Sequence, residues 1–458
     1  MSAASVRSRV FGVWRRIVGL SWPVMLEQVS RTGMRTTDIV VTALFSPAAV
    51  AAIGLADLYA RFPLWVGLGT GGGAIALSSQ DTGTGAEANR SEAISGALLL
   101  GALAGVPFAL FGLLFAEEAI ALLGAPREVA RLGGLYLAIV FVTAPARHVG
   151  LIGARALQGT GDTRTPMYVN LTGNSLNVVL SATLGLGLLS APRLDVVGVG
   201  VATAVANVFI ALALLAALAS PLTDAGLTVP TDPVIARQLA VVSAPSIAEG
   251  LVSTLAEFPF NAILLGFGTE VNAGFQIGRR AYQQVTGPLS RGYNVAVSVV
   301  VGQSLGDGRP DDARFEGWAS LGLGVLTVGG AGLVLAAAAP PLVGLLADDP
   351  ATARSAVGFA RVYGLTAALL VTFTVLQGAL RGASETRAPF VARASGFVLL
   401  FVGVTYLAGV VWGWGVPGAY LAVALTYAWM AGAMVWWFRR GEWAERAARM
   451  MAERGSVP

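Results

Sequence analysis

The stretch Gly159-Thr-Gly-Asp-Thr-Arg-Thr-Pro166 recurs later in the chain as Gly382-Ala-Ser-Glu-Thr-Arg-Ala-Pro389. Both copies keep an acid, a threonine, an arginine and a proline in register, which chance seldom produces over so short a stretch. We call the separation from Gly159 to Gly382 the repeat shift. Two more pairs share nearly the same shift, because Ser21–Glu27 resembles Ser243–Glu249 and Gln80–Gly85 resembles Gln303–Gly308. We infer that the chain is an internal duplication.

Apolar blocks of about 20 residues or more separate these motifs, the length that crosses a bilayer. Hydrophobic residues make up 55% of the 458 positions, charged residues only 12%, and the mean hydropathy is +0.70. The pattern predicts an all-α membrane protein with twelve transmembrane helices. Their predicted limits are 17–43, 52–79, 94–116, 130–157, 166–188, 196–219, 236–266, 272–303, 315–339, 354–380, 388–411 and 416–438.

The duplication also predicts how the helices are organised. Because six is an even number, both copies enter the membrane from the same side, so a pseudo-twofold axis along the membrane normal relates two six-helix bundles. Two facing bundles would enclose a cleft that opens alternately to either side, which favours a secondary transporter. The predicted domains are an amino-terminal bundle (1–220), a cytoplasmic linker (221–235), a carboxyl-terminal bundle (236–438) and a basic tail (439–458).

Arginine placement predicts the orientation. With a cytoplasmic amino terminus, eighteen arginines fall in inner segments and four in outer ones, which are Arg127, Arg131, Arg193 and Arg354. We therefore expect a multi-pass plasma-membrane protein with both termini in the cytoplasm. This bias explains a pI near 9.7 without nucleic acid as a partner. The tail, with Trp443, Met450 and Met451, is expected to lie on the inner leaflet.

The composition excludes several classes of chemistry. The chain has no cysteine, a single histidine at His148, and no lysine among its 30 basic residues. Without lysine, the glycine run Gly67–Gly73 cannot be a nucleotide-binding P-loop, and no Schiff base can form. Paired acids, Ser–His pairs and metal clusters at catalytic spacing are missing as well. We expect neither an enzyme nor a resident cofactor, so uphill transport would use an ion gradient.

Helix one carries four ionisable residues, Glu27, Arg31, Arg35 and Asp38, within an arc of about 80° on one helix face. Such residues are costly in hydrocarbon and usually face a cavity or a partner. One interpretation is a self-neutralising ladder, with Glu27 beside Arg31 and Arg35 beside Asp38. The other is that the stripe lines the transport cavity and that Asp38 binds the coupling ion, as a proton on its carboxylate or through switching of its pair with Arg35.

Helix seven carries Glu249 and Glu257, eight residues apart and hence on one face. Each acid either contacts a cationic substrate or pairs with an arginine of helix eight, and the sequence leaves both alternatives open. The candidate arginines are Arg279, Arg280 and Arg291. Asn177 offers a carbonyl oxygen to Na⁺ together with Asp38, or it is a satisfied packing amide. Asp162, Arg164, Glu385 and Arg387 are expected to cap helices at the inner gate rather than to touch substrate.

Several of these features together resemble the multidrug and toxic compound extrusion (MATE) family, over essentially the whole chain. The matching motifs in helix one are Pro23 and Thr37-Asp38-Ile39-Val40, and the segment Leu44–Gly54 follows them. Further along they are Leu157–Pro166 and Asn174-Ser-Leu-Asn177. The resemblance is to the prokaryotic or archaeal type, within the multidrug/oligosaccharidyl-lipid/polysaccharide flippase superfamily.

The resemblance implies an antiporter that exports amphipathic or cationic small molecules in exchange for H⁺ or Na⁺ by rocking alternating access. It places the ion-coupling site at Asp38, Asn177 and Tyr136, and we include Ser181 as the fourth candidate residue. Many members have an aspartate four residues after the asparagine matching Asn177, where this chain has Ser181. The expected partners are the lipid bilayer and a small amphipathic substrate, and the expected state is a monomer. The alternative is a flippase for a lipid-linked or anionic cargo, whose headgroup would suit Arg31, Arg35, Arg280 and Arg291.

Overall fold

The computed structural model describes residues 3–456, and in that range it contains helices and turns without a strand. The first helices are α1 Ala3–Ala43, α2 Pro47–Thr84, α3 Glu87–Leu122, α4 Arg127–Val142, α5 Ala144–Thr160, α6 Arg164–Leu186 and α7 Asp195–Ala219. The later ones are α8 Pro233–Phe267, α9 Thr269–Gly306, α10 Pro310–Gly344, α11 Pro350–Leu365, α12 Ala367–Gly382, α13 Arg387–Val411, α14 Val416–Arg440 and α15 Glu442–Glu453. Helix α10 includes a π-helical turn at Val325–Gly329, and α13 continues as a π-helix over Gly396–Val411.

Helices α1–α14 account for the twelve predicted spans, because two of the spans each consist of a bent pair of helices. Seven helices are long and apolar enough to cross a membrane, and the bent pairs α4–α5 and α11–α12 bring the number to nine. The remaining three are α1, α6 and α9, whose polar residues lower their hydropathy. Six spans therefore precede the segment 220–232 and six follow it within the described residues, which confirms the all-α membrane fold.

Two spans that the sequence predicts as continuous helices, 130–157 and 354–380, are instead bent. The bends are 52° at Thr143 and 50° at Thr366, and the repeat shift relates these two threonines. Each threonine hydroxyl donates to a carbonyl in the preceding turn, Thr143 to Val140 at 2.9 Å and Thr366 to Val362 at 2.7 Å. Such bonds compete with the backbone and favour a bend, although they do not bend a helix at every threonine. Pro145 contributes to the first bend because it lacks an N–H.

The repeated loop motif caps the helix that follows it in each copy. Asp162 accepts hydrogen bonds from the backbone N–H groups of Arg164 at 3.0 Å and Thr165 at 2.9 Å. Glu385 accepts equivalent bonds from Arg387 at 2.9 Å and Ala388 at 3.0 Å. Both acids satisfy N–H groups that a helix start leaves free, which confirms their predicted capping role.

The chain forms two compact units. Unit N is Leu26–Ile247, and unit C combines the described residues as far as Met25 with those from Ala248 onward. The boundaries Met25/Leu26 and Ile247/Ala248 are related by the same shift that takes Ser21 to Ser243, so they fall at equivalent positions of the two sequence copies. In unit C the start of α1 packs on α10, where the Trp14 indole donates to the carbonyl of Ala319 at 2.8 Å. The predicted domain limits at 220 and 235 stay a prediction.

The carboxyl-terminal helix α15 packs on unit C. Trp443 stacks on Phe438 with 4.9 Å between ring centroids, and Met450 and Met451 are buried. Arg446 forms an ion pair of 2.8 Å with Glu385. The apolar side chains of this helix therefore pack on protein, and the predicted position of the tail on the inner leaflet stays a prediction. The amphipathic pattern was real, but it matches a protein surface as well as it matches a lipid one.

Candidate functional site

Asp38 lies on the buried face of α1 within unit N. Its side chain is 8% exposed, whereas its neighbours Ile39 and Val40 are more than half exposed. Val41 and Thr42 return to the buried side, as the helical period requires. The geometry of α1 thus directs the only carboxylate of its last three turns into unit N.

Ser181 and Asn177 of α6 meet Asp38 there. The Ser181 hydroxyl donates to Asp38 Oδ1 at 2.8 Å, and Asn177 Oδ1 lies 3.4 Å from the same hydroxyl. Residues four apart share a helix face, so both side chains reach the site together. A serine has one hydroxyl proton and cannot donate to both acceptors at once, and the shorter contact identifies Asp38 as its partner.

Thr203 of α7 extends this hydrogen-bonded group. The Asn177 amide donates to Thr203 Oγ1 at 3.1 Å, and buried Tyr136 reaches the same hydroxyl. The structure therefore brings together Asp38, Asn177 and Ser181, with Tyr136 connected through Thr203. Sequence reasoning missed Thr203, although it is the only hydroxyl side chain in the largely apolar helix α7.

The hydrogen-bond partner of Asp38 is neutral. In the part of the chain that the structure describes, no guanidinium forms an ion pair with this carboxylate, and Arg35, one turn before it, is exposed. Arg35 and Asp57 of α2 are the charged groups that act on it from a distance. A carboxylate surrounded by hydroxyl and amide oxygens suits a proton or a hard cation such as Na⁺, which prefers oxygen ligands. Ser181 and Asn177 would supply the further oxygens that Na⁺ needs.

The described residues around Asp38 do not form a multinuclear or transition-metal site. Among the described residues no group of three or more acidic, imidazole or thiol side chains is placed to hold a metal ion. The single carboxylate of Asp38 with its neutral oxygen neighbours therefore fits a monovalent cation or a proton better than a tightly held divalent metal.

The other charges of α1 follow the ladder interpretation only in part. Glu27 pairs with Arg31 one turn later at 3.6 Å, and its second oxygen is buried without a partner. Arg35 and Asp38, the other half of the predicted ladder, differ sharply in exposure. The first pair is therefore a loose ion pair, while Asp38 belongs to the α6 and α7 group.

Both acids of α8 form ion pairs in unit C, and their contact with a substrate stays a prediction. Glu257 pairs with Arg279 of α9 at 2.6 Å, as one alternative stated. Glu249 pairs with Arg393 of α13 at 2.8 Å and accepts a hydrogen bond from Gln377. Sequence reasoning missed Arg393 because it counted this arginine with the cytoplasmic segments. The available signal was its position nearly two turns inside the apolar helix α13.

Arg280 and Arg291 both lie on α9. Arg280 is exposed, and Arg291 is half-buried and has other interactions. Their assignment to a substrate cavity, like that of Glu27, Arg31 and Arg35, stays a prediction.

Comparison with known proteins identifies the family. The family model MatE matches residues 23–183 and 245–407, which together cover well over half of the chain. The chain belongs to the MatE family. The starts of the two matched ranges, Pro23 and Pro245, are related by the same shift as Ser21 and Ser243, so the family unit coincides with the internal repeat. The predicted resemblance is confirmed.

Curated relatives extend over nearly the whole chain. A probable multidrug resistance protein NorM of Burkholderia mallei is 31% identical over 436 residues, covering 92% of this chain and 91% of its own. A protein of the same name from Rhodopseudomonas palustris is 29% identical over 438 residues, covering 92% and 90%. These similarities run through both units of this MatE chain.

Solved structures of MATE proteins share the fold. A MOP superfamily transporter from Pyrococcus furiosus superimposes with a TM-score of 0.86 at 19% identity, covering 94% of this chain and 96% of its own. An outward-facing multidrug resistance MATE family transporter gives the same TM-score and coverage. The family match and the multidrug resistance relatives make this chain a multi-pass membrane transporter of the MatE family and not an enzyme.

Proposed function

We propose that this MatE protein is a secondary active antiporter that exports amphipathic or cationic small molecules in exchange for H⁺ or Na⁺. Asp38 is its coupling residue, and Ser181, Asn177 and Tyr136 complete the coupling site. The observation that carries this proposal is a carboxylate that is 8% exposed and has a hydroxyl, rather than a guanidinium, as its hydrogen-bond partner.

The physical argument starts from the cost of burying a charge. An ionised carboxylate inside a membrane protein is unfavourable unless an opposite charge compensates it. The Ser181 hydroxyl lowers this cost but leaves the charge of Asp38 in place. A proton or Na⁺ that binds from the outer solution neutralises this charge. The site is thus built to gain free energy from an external cation, which is what coupling requires.

Coupling further requires that the ion favour one conformation of the transporter over another. A ligand shifts a conformational equilibrium only by its difference in affinity for the two states. If Asp38 reaches the outer solution in one state and the inner solution in the other, ion binding and substrate binding favour different states. This gives exchange by rocking alternating access. The multidrug resistance names of the relatives support amphipathic compounds as the cargo.

The test uses purified full-length protein in liposomes loaded with ethidium, with an imposed pH gradient or an imposed Na⁺ gradient. We expect one of the two gradients to drive ethidium uphill in the wild type. The Asp38→Asn variant keeps a carbonyl acceptor for Ser181, so it should fold normally and show equilibration without uphill transport. Thermal unfolding in detergent checks the folding.

The matched control is Asp224→Asn, the same change at an exposed acid of unit N in the segment between α7 and α8. We expect this control to transport uphill like the wild type. Uphill transport by Asp38→Asn, or equal loss in both variants, would contradict the assignment of Asp38.

A further inference from the structure

A second charged cluster lies in unit C, away from any residue used above for coupling. It is built around Glu249 of α8, which is 4% exposed. Arg393 of α13 and Gln377 of α12 both contact this carboxylate. Arg381, one turn after Gln377, donates through Nη1 to Asn294 Oδ1 at 2.9 Å, and the Asn294 amide lies 3.3 Å from Gln377 Oε1. We call these five residues the Glu249 cluster.

The cluster contains more positive than negative charge. It holds two guanidinium groups and one carboxylate, and the charged groups that act on Arg381 are Glu249 and Arg393. Glu249 forms its ion pair with Arg393. Within the described residues, no carboxylate lies at ion-pair distance from Arg381. Its Nε is buried without an acceptor. A buried donor with no acceptor is costly.

The two arginines of the cluster are more exposed than its carboxylate. The Arg393 side chain is 17% exposed and that of Glu249 only 5%, and Arg381 is half-buried while Gln377 and Asn294 are buried. Arg393 Nε lies 2.8 Å from Glu249 Oε1, yet it lacks the alignment of a hydrogen bond. The guanidinium of Arg393 is thus more exposed than the carboxylate it pairs with, and the buried Nε atoms of Arg381 and Arg393 have no hydrogen-bond acceptor.

The internal repeat shows that these arginines are not required for packing a six-helix unit. At the repeat shift, Arg381 corresponds to Gln158 and Arg393 to Asn170. Both counterparts in unit N are neutral, although the helices that carry them fold in the same way. The arginines at these two positions are therefore features of the second copy.

We infer that Arg381 and Arg393 form a binding site for the carboxylate group of a small amphipathic organic anion. One carboxylate neutralises the single excess charge, and its two oxygens match the planar N–H fork of a guanidinium. This site goes beyond the proposed coupling at Asp38, because it would bind an anion rather than a cation. Binding to it can be measured without an ion gradient. A compound that carries both an ammonium and a carboxylate group would then be a better ligand than a simple cation.

The experiment measures binding of benzoate to the purified full-length protein in phosphatidylcholine nanodiscs by isothermal titration calorimetry. Benzyltrimethylammonium, a cation of similar size, serves as the comparison ligand. Arg381→Gln introduces the residue that the first copy has at this position. We expect it to weaken benzoate binding by about tenfold or more, since a charge-assisted hydrogen bond is lost, and to leave binding of the cation unchanged.

Two further variants separate this site from folding and from general charge effects. Arg381→Lys keeps the charge without the planar fork, and we expect it to bind benzoate more weakly than the wild type but more tightly than Arg381→Gln. Arg361→Gln removes an equal charge from an exposed position of α11 in the same unit, and we expect no change. Thermal unfolding of each variant confirms that it is folded.

Three results would overturn the inference. They are wild-type protein that does not bind benzoate saturably, Arg381→Gln that binds it as tightly as the wild type, and Arg361→Gln that loses as much affinity. Nanodiscs with phosphatidylglycerol test a lipid phosphate as the occupant instead, and abolished benzoate binding there would reject a soluble carboxylate. Because these binding measurements use no ion gradient, their outcome does not depend on whether Asp38 is the coupling residue.

Discussion

Asp38 in unit N and Glu249 in unit C are both carboxylates buried within membrane-spanning helices, with 8% and 4% of each residue exposed. Their partners differ in charge. Asp38 accepts a hydrogen bond from the neutral Ser181, whereas Glu249 pairs with the guanidinium of Arg393. Burial alone therefore does not mark an ion-coupling acid. An acid with a neutral partner needs an external cation to compensate its charge, and an acid with its own arginine does not.

The largest difference between variants of the two acids is expected in uphill transport. An imposed gradient of about one pH unit is equivalent to about 1.4 kcal/mol, so one-for-one proton exchange supports about tenfold accumulation of substrate. We expect Asp38→Asn to reduce this accumulation to simple equilibration. Glu249→Gln should keep it, when uptake is expressed per folded molecule. Equal loss in both variants would show that the two acids act together, and the comparison would fail.

For the free energy of unfolding we expect the opposite order, with the larger loss in Glu249→Gln and the smaller one in Asp38→Asn. Glu249→Gln leaves Arg393 charged, largely buried and without its carboxylate, which we expect to cost about 3 kcal/mol of unfolding free energy. Asp38→Asn removes an uncompensated charge and should cost much less. Reversible denaturant unfolding in detergent micelles measures both changes.

The double variant Glu249→Gln with Arg393→Gln serves as the control for that loss. It removes both charges of the pair, so most of the stability should return. A double variant as unstable as Glu249→Gln alone would mean that packing, and not the unpaired arginine, caused the effect.

Ser181 provides a finer test of the neutral partner. Ser181→Ala removes the hydroxyl that contacts Asp38, and a hydrogen bond to a charged group contributes about 1.5 kcal/mol, or about a tenfold change in an equilibrium constant. We expect the coupling-ion concentration for half-maximal transport to change by about this factor. Ser30→Ala, which removes the hydroxyl that Asn174 contacts at 3.1 Å, is the matched control in unit N and should not change it.

The smallest effect is expected at Glu27, the residue equivalent to Glu249 in the first sequence copy. Its pair with Arg31 is 3.6 Å long and joins adjacent turns of one helix, and such pairs contribute about 0.5 kcal/mol or less. Glu27→Gln should therefore change unfolding far less than Glu249→Gln does in the same assay. A loss similar to that of Glu249→Gln would show that the repeat position matters more than the partner.

The sequence predicts the membrane helices well because hydrophobic blocks and helix caps are local signals. The predicted limits 196–219 and 416–438 differ from the observed Asp195–Ala219 and Val416–Arg440 by two residues at most. The bends at Thr143 and Thr366 escaped this reasoning, because a threonine in an apolar run gives no sign of whether its hydroxyl bonds to the backbone. The packing of α15 on unit C escaped it too, since an amphipathic helix does not specify its partner.

At the site, composition and the cost of buried charge were enough to select Asp38, Glu249 and Glu257 as the acids to examine. The sequence by itself thus determined the fold class, the duplication and a short set of ionisable residues inside the membrane. Only the tertiary structure decided which of these acids has a neutral partner and which has an arginine. Ser181 lies 143 residues from Asp38 along the chain, and Arg393 is similarly far from Glu249. Contacts at such separations depend on how whole helices pack together, which no local pattern specifies.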